Sequence, residues 1–180
     1  EVRACELCDL ARTRPVEAAL DEGLERRRED LAPGRIVGAR GTGLDGGPSK
    51  FSAPNYDVLI DCPTEVGTAP VRTFRVRGKR HRVLIHGAKN WDDARVTRDC
   101  KKLVEEYARM FGGLPYEHYL FLYHAAVTGL GGLEHLNSTA MTLNPWAGKP
   151  DKQYERIIEV TAHECFHLWN VKRSRPKVLG

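Results

Sequence analysis

The pattern of hydrophobic and polar positions divides the chain into two parts near residue 50. Residues 1–50 are rich in Arg, Glu and Gly, and the charged run 21–30 predicts a solvated helix followed by a flexible linker over 38–47. From residue 51 the pattern is that of an ordered domain. We therefore predict a poorly defined, flexible N-terminal region over 1–50 and a folded domain over 51–180.

Within the second part, alternating or continuous apolar runs predict strands, and a 3.6-residue spacing predicts helices. The predicted strands are 71–76, 82–85, 119–127 and 133–142, and the first two turn around Arg77-Gly78-Lys79. A helix should begin after the N-cap Asp92 and end at Gly112-Gly113. A further helix is predicted from an Asp151 N-cap through about residue 171. Strands followed by such a helix predict an α+β domain.

The last predicted helix contains a pattern with chemical meaning, His163-Glu164-Cys165-Phe166-His167. Residues four apart lie on one helix face, so the two imidazoles can bind one metal ion. The intervening Glu164 is then placed to accept a proton from a water molecule. This is the HExxH pattern of zinc-dependent peptidases, and it predicts Zn²⁺ as the cofactor. Cys165 points away from the histidine face and is predicted to be a packing residue.

Composition and charge exclude only a few kinds of partner. The chain has 180 residues, 41% of them hydrophobic, and a formal net charge of +4. Neither a membrane-spanning run nor a leader is visible, and the mild charge demands no polyanionic partner, so we predict no membrane and no nucleic acid among its partners. The basic run 172–177 is predicted to be a solvated helix end. A cytoplasmic location is predicted, with a processed or exported form left open.

The cysteines predict no disulfide framework. Cys5 and Cys8 form a CxxC pair without a second pair at zinc-finger spacing, and incidental free thiols are favoured over a metal or redox role. The other three cysteines are scattered along the sequence, which fits a reducing compartment or buried thiols.

Beyond these patterns, the segment 163–176 resembles the signature of the glycyl aminopeptidase family of gluzincin metallopeptidases. A second segment, Gly131-Gly132-Leu133-Glu134-His135-Leu136-Asn137-Ser138-Thr139, resembles another signature of that family. The likeness covers residues 51–180. It implies a partial zincin-like metallopeptidase domain, namely the upper half of a thermolysin-like fold with a mixed β-sheet and an active-site helix.

The resemblance also implies a role for each matching residue. His163 and His167 would be zinc ligands, and Glu164 would be the general base. Glu134 would hold the free ammonium group of a peptide substrate, and Gly131 and Gly132 would border that substrate. The implied activity is removal of N-terminal residues, small ones such as glycine or alanine, from peptides with a free N-terminus.

No residue of this sequence corresponds to the third zinc ligand that the family resemblance implies. The third zinc ligand and the group that stabilises the oxyanion are expected beyond Gly180. Because catalytic zinc sites normally use three protein ligands, the chain alone is expected to show little activity. The alternative prediction is a truncated, catalytically inactive fragment or a binding module.

Overall fold

A computed structural model of the chain describes residues 16–17, 35–38, 52–53, 55–67 and 69–174. The chain divides into two units, residues 1–68 and 69–180. The predicted boundary at residue 50 stays a prediction. The predicted charged helix over 21–30 and the pair Cys5 and Cys8 lie outside the described residues, as does the predicted linker except for Gly38.

The first unit contains short elements. Strand β1 (Val16–Glu17) pairs antiparallel with β3 (Ser52–Ala53), and β2 (Arg35–Gly38) pairs antiparallel with β4 (Thr64–Gly67). Helix α1 (Tyr56–Ile60) begins at Asn55, whose side-chain oxygen accepts a hydrogen bond from the Val58 amide. The two strands within residues 1–50 were not predicted from the sequence.

The second unit is built on a five-stranded mixed sheet in the order β5-β6-β7-β9-β8. Its strands are β5 (Val71–Val76), β6 (Lys79–His86), β7 (His118–Ala125), β8 (Gly131–Glu134) and β9 (Ser138–Leu143). The central pairs β6–β7 and β7–β9 are parallel, and the outer pairs β5–β6 and β8–β9 are antiparallel. This arrangement confirms the predicted mixture of helices with a mixed sheet and places β8 at an edge.

The β5–β6 hairpin forms where the sequence predicts it. Arg77 and Gly78 both have positive φ, of 47° and 78°. Such a turn has the twist that joins antiparallel strands without splaying them.

Two helices, α2 (Asp93–Met110) and α3 (Asp151–Phe166), pack with the sheet around one hydrophobic core. The α2 helix begins as predicted, because the Asp92 carboxylate accepts a hydrogen bond from the Arg95 amide at 2.9 Å. Its buried face carries Val96, Cys100, Val104 and Ala108. None of the described helices is both long and apolar enough to cross a membrane.

Several predicted boundaries were wrong: β6 begins at Lys79 rather than at residue 82, and β7 ends at Ala125 rather than at residue 127. The predicted strand 133–142 is two strands, because the chain reverses over 135–137 and the His135 amide donates to the Ser138 carbonyl at 2.9 Å. Asp151 is the first residue of α3 rather than its N-cap, which is Pro150, and its carboxylate instead pairs with Arg95.

The α3 helix also ends earlier than predicted, at Phe166 rather than near Val171. Val171 has a φ of 107°, which no helix allows. The Arg173 guanidinium donates to the Leu168 carbonyl, which a longer helix would have paired, and to the Pro115 carbonyl on another segment, each at 2.9 Å.

Candidate active site

The last turns of α3 bring the two predicted histidine ligands together. His163 and His167 have their Nε2 atoms 3.0 Å apart, and their rings stand perpendicular with centroids 4.6 Å apart. Two nitrogens bound to one tetrahedral zinc ion, each at about 2.0–2.1 Å, would lie about 3.3 Å apart. The observed spacing is therefore close to that of a bound pair.

The orientation of His167 is set by the turn that follows α3. Its Nδ1 lies 3.2 Å from the Asn170 carbonyl oxygen. An Nδ1 proton donated to this carbonyl leaves the Nε2 lone pair directed at its neighbour His163, which is the tautomer that a metal requires. No local sequence pattern predicts this contact, because it depends on the helix ending at Phe166.

Glu164 is buried, with 6% of its surface exposed. Burial raises the pKa of its carboxyl group above the ordinary value; His163 and His167 lower the pKa, and the Glu134 carboxylate raises it. A carboxylate with a raised pKa is a stronger base and is better matched to proton transfer near neutral pH.

The Glu164 side chain occupies space that only a glycine on β8 leaves open. A Cβ added to Gly132 would lie 2.3 Å from Cδ of Glu164 and 2.4 Å from both Cγ and Oε1. Gly132 thus lies directly against the carboxyl group that the sequence predicts to be the general base. No local sequence pattern reveals this contact, because it joins a strand to a helix.

Glu134, at the end of β8, joins the same cluster. One ligand atom each from Glu134, Glu164 and His167 lie within 4.8 Å of one another. With His163 against His167, the described residues gather two imidazoles and two carboxylates, which are donor types that zinc accepts. The family resemblance implies that Glu134 holds the substrate's ammonium group, and it does not predict that Glu134 lies this close to Glu164 and His167.

An open groove of about 330 Å³ borders this cluster. It is lined by Gly131 on β8 and by Arg156, Glu159, Val160, His163 and Glu164 on α3. All six predicted site residues therefore lie together, because the three that do not line the groove, Gly132, Glu134 and His167, lie close to Glu164 in its wall. Their catalytic and binding roles stay predictions.

Buried contacts hold α3 against the sheet behind the groove. The Tyr123 hydroxyl on β7 lies 2.8 Å from Oγ1 of Thr161, and the Tyr107 hydroxyl on α2 donates to the Ala162 carbonyl at 2.8 Å. Cys165 is buried, and burial raises the pKa of its thiol well above the ordinary value, so it is a packing residue as predicted. The two hydroxyl contacts fix the residues of the helix that immediately precede His163.

Two comparisons with known proteins find matches. A family model described as M61 glycyl aminopeptidase matches residues 156–180. The chain is also similar to the crystal structure of an aminopeptidase N family protein from Idiomarina loihiensis, with a TM-score of 0.73 and 31% sequence identity over 82% of this chain. No curated protein matches the chain.

Together, the two matches confirm the predicted resemblance to the glycyl aminopeptidase family, and both point to peptidases. The chain spans 27% of the length of the solved aminopeptidase N family protein.

Proposed function

Starting from this family resemblance, we propose that the protein is a zinc-dependent aminopeptidase that removes small N-terminal residues, such as glycine or alanine, from peptides. We also propose that residues 69–174 form the upper half of a zincin-like catalytic domain, with α3 as the active-site helix. The observation that carries the proposal is the single cluster of His163, Glu164, His167 and Glu134 beside the edge strand β8.

His163 and His167 would hold the zinc ion, since their Nε2 atoms are 3.0 Å apart and both belong to the HExxH motif. When bound, zinc would polarise the carbonyl group of the scissile peptide bond.

Glu164 would act as the general base. It would take a proton from the attacking water as the oxygen of that water bonds to the carbonyl carbon. As the carbon–nitrogen bond breaks, Glu164 would pass the proton to the leaving amine. Its burial and raised pKa support this role, because a more basic carboxylate takes up that proton more readily.

Glu134 would fix where the substrate begins. A carboxylate paired with the substrate's ammonium group gives a charge-assisted hydrogen bond. Because Glu134 and Glu164 place their oxygens within 4.8 Å of each other, the residue that separates the ammonium from the scissile carbonyl has little room. This short distance supports release of a single residue and fits a small one.

The test compares hydrolysis of glycyl and alanyl peptides with that of the same peptides N-acetylated, by the protein as it is naturally produced. We expect cleavage of the free peptides only, and its loss in Glu164→Gln. Glu134→Gln should lower kcat/KM for free peptides by at least about 10-fold, since a hydrogen bond to a charged group is lost.

Glu159→Gln is the matched control, because Glu159 lines the same groove but is not in the cluster. Equal cleavage of free and acetylated peptides would overturn the assignment of Glu134. Tight peptide binding with no hydrolysis would favour the alternative of a binding module.

A further inference from the structure

A second cavity lies next to the groove and has no role in the proposed reaction. Its volume is about 280 Å³, and it shares Gly131, Arg156 and Val160 with the groove. Its deep wall is apolar and buried, formed by Leu143, Ala147 and Ile157. The cavity is thus continuous with the site but differs from it in chemistry.

The position of the cavity along β8 relates it to one part of a peptide. Glu134 lies at the last residue of β8, Gly132 lies against Glu164, and Gly131 borders both cavities. In chain order, β8 therefore leads from the apolar cavity, past the proposed base, to the proposed ammonium site.

The edge position of β8 favours an extended substrate beside it. One row of its backbone groups faces away from β9 and can pair with an added antiparallel strand. With its ammonium group at Glu134, such a strand runs toward Gly131. At about 3.4 Å per residue, the step from Glu134 to Gly131 spans about 10 Å, so the residues after the scissile bond arrive at the apolar cavity.

We propose that this cavity binds an apolar side chain from one of the first two residues that follow the scissile bond. The substrate class is then a peptide with a small first residue and an apolar residue second or third. This inference rests on the proposed function for the direction of the peptide. Leu130, at the rim, would cover the bound side chain.

The test uses four tripeptides that begin with glycine: Gly-Ala-Ala, Gly-Leu-Ala, Gly-Ala-Leu and Gly-Asp-Ala. Their kcat/KM values are measured with the unaltered protein, and their dissociation constants with the Glu164→Gln protein. We expect one leucine peptide to exceed Gly-Ala-Ala by about 10-fold or more in both measurements, since hydrophobic pockets discriminate at that level per missing group.

Leu130→Asp should remove that preference, so that the ratio of kcat/KM for the preferred leucine peptide to kcat/KM for Gly-Ala-Ala falls to about one. Val127→Asp is the matched control, because Val127 is 71% exposed, Leu130 is 72% exposed, and only Leu130 lines the cavity. The preference should persist in Val127→Asp.

The outcomes separate the two proposals. Cleavage of all four peptides at similar rates and with similar affinity would overturn the inference and leave the aminopeptidase proposal standing. A leucine preference in binding without any hydrolysis would support the cavity's role and overturn the proposed activity. Loss of the preference in Val127→Asp as well would overturn the assignment of the cavity.

Discussion

Replacing Gly132 by alanine tests how closely the edge strand and the proposed base are fitted to each other. The new Cβ would lie 2.4 Å from Oε1 of Glu164, whereas ordinary contact begins at 3.4 Å. The nearest carboxylate atom, Cδ, would lie only 2.3 Å from the new Cβ, so the carboxylate must withdraw by about 1.1 Å to reach ordinary contact. Because the carboxylate lies at the far end of the flexible Glu164 side chain, we expect this side chain to move rather than strand β8.

The expected effect is large on activity and small on stability. A misplacement of about 1 Å at a catalytic group can lower the rate about 100-fold. The free energy of unfolding should change little. Exchange of glycine for alanine changes it by about 1 kcal/mol or less where the backbone conformation suits both residues. Zinc binding should persist, because the two histidines are not displaced by the new methyl group.

Three measurements on the Gly132→Ala protein check this account: kcat/KM on a glycyl peptide, zinc content and the urea unfolding midpoint. Leu133→Ala is the matched control, because Leu133 neighbours Gly132 on the same strand and is 58% exposed. A Gly132→Ala protein with kcat/KM within about twofold of normal would refute the reasoning. So would an equal loss in Leu133→Ala.

Further predictions concern the scaffold. His81 is fully buried, stacked on Phe74 and 2.9 Å from the Tyr116 hydroxyl, and burial lowers its pKa to about 4 from 6.5. Below pH 6.5 His81 is protonated in the unfolded chain but stays neutral in the folded chain. The free energy of unfolding should therefore fall by about 3 kcal/mol from pH 6.5 to 4. His81→Phe should remove this part of the pH dependence, as measured by urea unfolding. Tyr123→Phe, which removes the hydroxyl beside Thr161 and Cys100, should cost about 1 kcal/mol in the same assay; an unchanged midpoint would contradict the proposed anchoring of α3.

Local chemistry made much of the second unit predictable. Asp92 predicts the start of α2, and Arg77-Gly78 predicts the hairpin between β5 and β6. The spacing of His163 and His167 places both rings on one face of α3 regardless of what surrounds the helix. These features depend on residues near one another in the sequence.

The features that the sequence did not reveal depend on distant contacts. The turn after α3 is held in part by Arg173, which donates to the Pro115 carbonyl on another segment. The turn between β8 and β9 contains no Gly or Pro in 135–137, so the local pattern predicts one continuous strand. The contact of Gly132 with Glu164 likewise appears only once β8 and α3 are packed together.

The most direct test of the central claim is the zinc content of the protein as it is naturally produced, measured after dialysis and compared among three forms. We predict one zinc ion per chain in the unaltered protein and in His86→Ala, whose exposed histidine lies on β6, and a loss of bound zinc in His167→Ala. Zinc retained at the same level in His167→Ala would contradict the account.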